Sequence, residues 1–222
     1  MGDAERQARR PVPARDTGWA HRTAPKLQRL GLTPNQISVA SVVFAAVAAA
    51  GFVASAHVAA GPRIVLLLIA AAMMPLRLLC NLFDGMLAVE GGLKSPLGGI
   101  YNELPDRFAD LLFIAGAGYA VADFTWGREL GWAAAAFSLI VPYVRALGVT
   151  LGTPQFYDGP MAKPRRMHIL VAACLLSVIE VIAGWPRGAV LAVALAVILI
   201  GEVLTIVNRL RLIAAHLTWR GA

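Results

Sequence analysis

The sequence predicts an all-α integral membrane protein, and three observations carry that reading. Hydrophobic residues make up 58% of the 222 and the mean hydropathy is +0.67, against an apolar share of about 45–50% in soluble domains. Six apolar windows reach the roughly 20 residues that a helix needs to cross a bilayer. None has the period-two alternation of an outer-membrane barrel strand.

Taken in order, residues 1–35 read as a cytosolic arm and 36–222 as a transmembrane domain. The first 20 or so residues, rich in Arg, Pro, Asp and Gly, contain no apolar core of a signal peptide, and disorder is expected there. Thr23 to Leu32 reads either as a basic amphipathic segment on an anionic leaflet or as a solvated basic tail. Thr33-Pro34-Asn35 supplies the turn and cap of the first span. The spans are expected at Gln36 to Ala56, Ile64 to Val89, Gly98 to Ala122, Leu130 to Leu151, Arg166 to Gly184 and Ala189 to Leu212. Pro105, inside the third, is expected in a helix's first turn, where its missing N–H costs nothing. Runs of small residues, as in Ala45 to Gly51 and Ala115 to Gly118, permit close helix approach.

Charge fixes orientation. The net charge is +7, and seven of the twenty Lys and Arg residues, Arg6, Arg9, Arg10, Arg15, Arg22, Lys26 and Arg29, precede the first span. The positive-inside rule then puts both termini in the cytoplasm, with Lys94, Lys163, Arg165 and Arg166 also inside. The outer connections carry one Arg each: Arg63, Arg128 and Arg187. Cations so distributed serve topology and give no reason to expect nucleic acid as a partner. The expected location is the cell inner membrane, multi-pass. Cys80 and Cys174 fall within spans and suggest neither a disulfide nor a zinc site.

Function is concentrated between Asn81 and Asp110. Ionisable groups at membrane depth cost about 2.5–3.5 kcal/mol each on insertion scales, so several together imply a polar surrounding. Asn81, Asp84 and Ala88 share one helix face, and Gly98, Asn102, Asp106 and Asp110 recur at steps of four to form another. Across the short turn with Gly91, Gly92 and Pro96, direct antiparallel pairing is expected to merge the two stripes into a cluster of oxygen ligands suited to a hard cation such as Mg²⁺. The plainer alternative is a buried network with the acids paired to Arg77, Arg107 or Arg145.

Asn81-x-x-Asp84-Gly85-x-x-Ala88-Val89, eight residues, then Gly98-x-x-x-Asn102-x-x-x-Asp106 resembles the DxxDGxxAR, eight residues, GxxxDxxxD signature of the CDP-alcohol phosphatidyltransferases. Every interval matches. Asn81 and Asn102 stand where that family has aspartates and Val89 where it has arginine, a pattern similar to a variant branch in which Glu follows, as in Asn102-Glu103. The resemblance implies six transmembrane helices around a polar cavity open to the cytoplasm. It implies Mg²⁺ or Mn²⁺ on Asn81, Asp84, Asn102 and Asp106, with Asp106 as general base and Asp110 as its alternate. Gly85, Ala88 and Gly98 would make room for the nucleotide. With two carboxylates fewer, one tightly held ion is expected.

The expected reaction transfers the phosphatidyl group of CDP-diacylglycerol, or a related CDP-alcohol, to an acceptor alcohol with release of CMP, in phospholipid biosynthesis. Arg145, Lys163 and Arg165 or Arg166 are the residues to which the resemblance assigns an acceptor phosphate; glycerol 3-phosphate and an inositol phosphate both suit them. Homodimer formation is carried over from the family. Two alternatives remain: a catalytically silent lipid- or nucleotide-binding scaffold, which the Asn and Val89 departures favour, and a small cation-coupled transporter, disfavoured because the cluster lies toward one membrane face. Glu180 and Glu202 read as cavity wall, partner for an arginine, or interfacial groups. Asn208 and Arg209 read as site closure or interface anchors.

Overall fold

The computed structural model describes residues 16–93 and 95–221; the arm up to Arg15, the loop cation Lys94 and the side chain of Arg220 lie outside the described residues. Seven helices make up the described chain: α1 Gly18–Arg29, α2 Pro34–Ser55, α3 Ala60–Val89, α4 Gly98–Ala120, α5 Gly127–Thr150, α6 Lys163–Ala183 and α7 Ala189–Gly221. The last six overlap the six predicted windows one for one. Of these, α2, α3, α5 and Ala189–Trp219 of α7 are long and apolar enough to cross a membrane; α4 and α6, which carry the buried Asp110, Arg166 and Glu180, are not among them. Val43, Val65, Leu176, Ile182, Val193 and Ile200 are all exposed. So large an apolar exterior is foreign to soluble monomers and belongs to a membrane protein.

Helix boundaries follow local chemistry. Thr33 caps α2 through a reciprocal box in which its hydroxyl accepts from the Gln36 N–H (3.3 Å) and the Gln36 side-chain oxygen accepts from the Thr33 N–H (3.0 Å). Pro34 and Pro164 sit in the first turns of α2 and α6. Gly184, at φ +66°, ends α6 in the left-handed cap that glycine adopts without strain. Pro105 departs from expectation. The helix begins at Gly98, so this residue is buried well inside α4, where it cannot bond back to the Tyr101 carbonyl.

The basic segment read from Thr23 to Leu32 falls on α1, which starts earlier, at Gly18, and ends at Arg29. Ala20 and Ala24 bury against Ile37, Leu82, Phe83, Met86 and Leu87, and Trp19 meets Phe83 edge-on at 5.8 Å. Packed on the end of α3, α1 leaves its cations Arg22, Lys26 and Arg29 outside that contact.

The other six helices close into a ring. α2 packs on both α3 and α4, α4 on α5, α5 on α7, α7 on α6, and α6 back on α3. Direct pairing of α3 with α4 is therefore corrected: these neighbours in sequence touch only lightly, because α2 takes up a flank of each. Small residues make this possible. A Cβ on Gly116 would stand 2.9 Å from the Ala49 Cα of α2, and one on Gly118 would stand 2.7 Å from the Gly131 Cα of α5.

One end of the ring is fastened by Arg63. It lies within α3, fully buried, and is not the loop residue that the charge pattern suggested. It donates to the Ser55 and Ala120 carbonyls at 3.0 and 3.1 Å and to Glu180 at 3.4 Å. Glu180 in turn accepts from the Gly188 and Val190 N–H groups, so five helices are joined there.

The close approach of α4 and α5 makes a prediction. Gly118→Val introduces a backbone clash and is expected to cost about 1–3 kcal/mol in detergent unfolding. Gly61→Ala, where nothing lies within 4 Å of the added carbon, is expected to leave the melting temperature unchanged or slightly raised.

Candidate functional site

Arg77, Asn81, Asp84 and Ala88 follow one another on α3 at helical spacings of four, three and four, so they share a face. That face looks across the gap toward the Asn102, Asp106 and Asp110 stripe of α4. The Asn81 amide donates to Asp106 Oδ1 at 2.8 Å. Asp84, 5% exposed, accepts from the Ser38 hydroxyl of α2 at 2.7 Å. A pocket of about 320 Å³ opens between the start of α2, the end of α3 and the start of α4; Asp84, Gly85, Ala88, Val89, Gly98 and Asn102 line it.

Behind the pocket lies a chain of buried charge. Arg77 Nη2 donates to Asp110 Oδ1 at 2.8 Å, to Asp106 Oδ1 at 3.2 Å and to the Asp106 carbonyl at 3.3 Å. Arg166 of α6 donates to Asp110 Oδ2 at 2.6 Å and to Glu202 of α7 at 3.0 Å. Lys163 contacts Asp106 Oδ2. Both oxygens of Asp110 are thus held by guanidinium groups in a fully buried position, whereas Asp106 keeps 13% of its side chain exposed.

Several polar atoms here have no partner among the described residues: Arg77 Nε and Nη1, Arg166 Nε and Glu202 Oε2 are buried and unsatisfied. Each such atom costs about 1–3 kcal/mol unless water or ligand reaches it. The surrounding therefore suits polar guests.

The structure separates the four cations assigned to an acceptor phosphate. Lys163 and Arg166 point to Asp106 and Asp110. Arg165 is exposed and donates to the Pro160 carbonyl at 2.9 Å. Arg145 pairs with Glu103 at 3.1 Å and lies over the Tyr157 ring at 5.2 Å, in a second groove of about 790 Å³ between α4 and α5. The network alternative holds for Arg77, and for Arg107 at 3.8 Å from Asp106, but Arg145 meets none of the aspartates named for the metal or the base.

Among the described residues no three His, Cys, Asp or Glu side chains gather as a metal cage. A cation would rest on the carboxylates of Asp84 and Asp106 with carboxamide oxygens from Asn81 and Asn102. Such an oxygen-only set fits a hard divalent ion.

One participant was not singled out from sequence: Ser38 gave no signal, since a serine in the first turns of a helix is ordinary. Arg77 and Glu202 were read there as a partner for the acids and a partner for an arginine, and the structure pairs Arg77 with Asp110 and Glu202 with Arg166.

No family model matches the chain. An archaetidylinositol phosphate synthase of Aeropyrum pernix is 30% identical over 192 residues, 83% of this chain and 88% of that protein. Among solved structures, a phosphatidylinositol phosphate synthase of Mycobacterium tuberculosis in complex with manganese and citrate matches with a TM-score of 0.67 at 21% identity, covering 86% of this chain and 87% of that one. The same enzyme with CDP-DAG bound gives 0.66 at 21% identity, covering 86% and 91%. These two likenesses establish a shared fold.

Because Asp110 neutralises two buried guanidinium groups, Asp110→Ala is expected to destabilise the protein by about 3–5 kcal/mol, the cost of stranding a buried charge. Unfolding followed in detergent micelles checks this. Replacing Asp110 and Arg166 together with apolar residues is expected to recover part of the loss.

Proposed function

The chain belongs to the CDP-alcohol phosphatidyltransferase family, and we propose that it transfers the phosphatidyl group of CDP-diacylglycerol to a phosphorylated acceptor alcohol, releasing CMP. The family membership makes it an enzyme of phospholipid synthesis; donor, acceptor and metal are the proposed particulars. One observation carries them: Asn81 and Asp84 of α3 face Asn102 and Asp106 of α4 beside an open pocket, with Asn81 bonded to Asp106.

In this reading 36–222 forms six transmembrane helices around a polar cavity, with the 320 Å³ pocket at the cytoplasmic end, both termini inside and 1–35 as an arm on that surface. The positive-inside distribution supports the orientation. Two copies form a homodimer in the inner membrane.

Asp84 and Asp106, with the amide oxygens of Asn81 and Asn102, would hold Mg²⁺ or Mn²⁺. When bound, the ion supplies Lewis-acid polarisation of the donor's phosphoryl oxygens and eases departure of CMP. Gly85, Ala88 and Gly98 leave room along the pocket wall for the nucleotide. The unsatisfied Nε and Nη1 of Arg77 offer donors to a diphosphate close by.

The acceptor hydroxyl attacks the lipid-side phosphorus, and Asp106 takes its proton. Arg77 and Lys163 hold that carboxylate in place from both oxygens, so its contribution lies in position more than basicity. Asp110, enclosed by two guanidinium groups, serves to hold Arg77 and Arg166. For the acceptor phosphate, Arg145 and Arg165 are the accessible cations, while Lys163 is held on Asp106 and Arg166 is committed to Asp110 and Glu202. The name of the 30% identical relative supports an inositol phosphate as the acceptor ahead of glycerol 3-phosphate.

Purified protein in detergent, given CDP-diacylglycerol and Mg²⁺ or Mn²⁺, is expected to release CMP when the right acceptor is added and to stop on chelation. Asp106→Asn is expected to lower the rate by about 10²–10⁴-fold, the usual weight of a general base, and Asp84→Asn to abolish the metal-dependent release of CMP. Absence of turnover with every acceptor and metal, while CDP-diacylglycerol still raises the melting temperature, would sink the transfer reading in favour of a silent binder.

A further inference from the structure

Lys163 is the first residue of α6, and its ammonium is seated on Asp106 Oδ2 with only 15% of the side chain exposed. The other oxygen of Asp106 already accepts from Asn81 and Arg77. Asp106 therefore has a full set of N–H donors on both oxygens, one of them a compact, mobile point charge on a flexible stem. Asp84, by contrast, accepts from a neutral hydroxyl and carries no ion pair among the described residues. The two carboxylates of the candidate metal site are thus unequal: one already has a cation from the protein and the other has none.

Charge makes the asymmetry consequential. The cluster holds four carboxylates, Asp84, Asp106, Asp110 and Glu202, against four cations, Arg77, Arg107, Lys163 and Arg166, and is formally neutral; Glu103 and Arg145, reached through Arg107, cancel each other. One divalent ion brings it to two positive; a second would bring it to four in a largely buried setting, where charge is poorly screened. Asn81 and Asn102 contribute oxygens but no charge to offset that excess.

We infer that Lys163 supplies the second positive charge of the site, so that Asn81, Asp84, Asn102 and Asp106 bind one divalent cation per chain and not two. The inference rests on the proposed reading of that cluster as a metal site and adds a residue-level reason for its stoichiometry. Asp84, free of an ion pair among the described residues, would be the main source of carboxylate charge for such an ion, and the ammonium held on Asp106 would offer a second positive charge to a diphosphate. Lys163 thereby acts as a fixed counter-cation that needs no metal pool to fill it.

The test counts bound Mn²⁺ by electron paramagnetic resonance on purified protein in detergent, without lipid substrate. The wild type and Lys163→Arg are expected to bind one ion per chain. Lys163→Gln removes the competing charge and is expected to tighten that single ion by about tenfold or more, an effect of one neighbouring charge at intermediate dielectric. Lys163→Gln combined with Asn81→Asp shifts the cluster by two charges and is expected to take two ions. Two ions on the wild type, or one on the double variant with unchanged affinity in Lys163→Gln, overturns the role of Lys163 while leaving the transferase reading intact. No Mn²⁺ on any variant overturns both. Melting curves recorded alongside confirm that each variant is folded, and the single and double variants give independent readings.

Discussion

The pairing of Asp110 with Arg77 and Arg166 is the contact on which the rest of the bundle depends. It joins α3, α4 and α6 at a point with no exposure to solvent, and through Glu202 it reaches α7. The Arg166 guanidinium also lies 3.5 Å from the Ser138 carbonyl of α5. Charges in such a place are not assembled for stability alone, since a well-packed apolar core of the same shape does as well or better. What they impose is uniqueness. Any rotation of α4 that removed Asp110 from the interior would strand two guanidinium groups, so the same network that fixes the fold also fixes the face that Asp106 and Asn102 present.

Much of this was legible in the chain. The six apolar windows gave the helices to within about four residues at every end but one, α7 running on past Leu212 to Gly221, and steps of four gave the stripe of α4, because hydropathy and helical periodicity are local properties. Ring order is not local. A helical wheel says which face of α3 is polar but not that α2 would occupy the flank expected for α4, a result of Ala49 and Gly116 meeting at backbone distance. Arg63 illustrates the same limit from the other side. As a single cation at the edge of an apolar window it reads as a topology marker, and only the converging carbonyls of Ser55 and Ala120 and the carboxylate of Glu180 make it a core residue.

The cations were the least legible part. Lys163, Arg165 and Arg166 are near neighbours in sequence, and composition invites treating them as one basic patch. The onset of α6 disperses them instead: at 100° per residue, Arg165 turns outward to the Pro160 carbonyl while Arg166 turns inward to Asp110. Charge clusters at a helix start therefore need to be read by angle as well as by count.

The two ends of the ring are built to opposite purposes. At the end where α2 and α4 finish and α3 begins, Arg63 and Glu180 form a neutral pair, and between them they also bond four backbone groups, so the helices are fastened together. At the other end α3 and α4 barely touch, the small residues Gly85, Ala88 and Gly98 line the space between them, and several buried polar atoms lack partners. Opening the fastened end would break several buried hydrogen bonds at once, whereas a polar ligand entering the loose end adds partners to groups that have none. In a bundle so arranged, room for a polar ligand lies at the end where Asp84 and Asp106 face each other, while the opposite end is closed by the hydrogen bonds of Arg63 and Glu180.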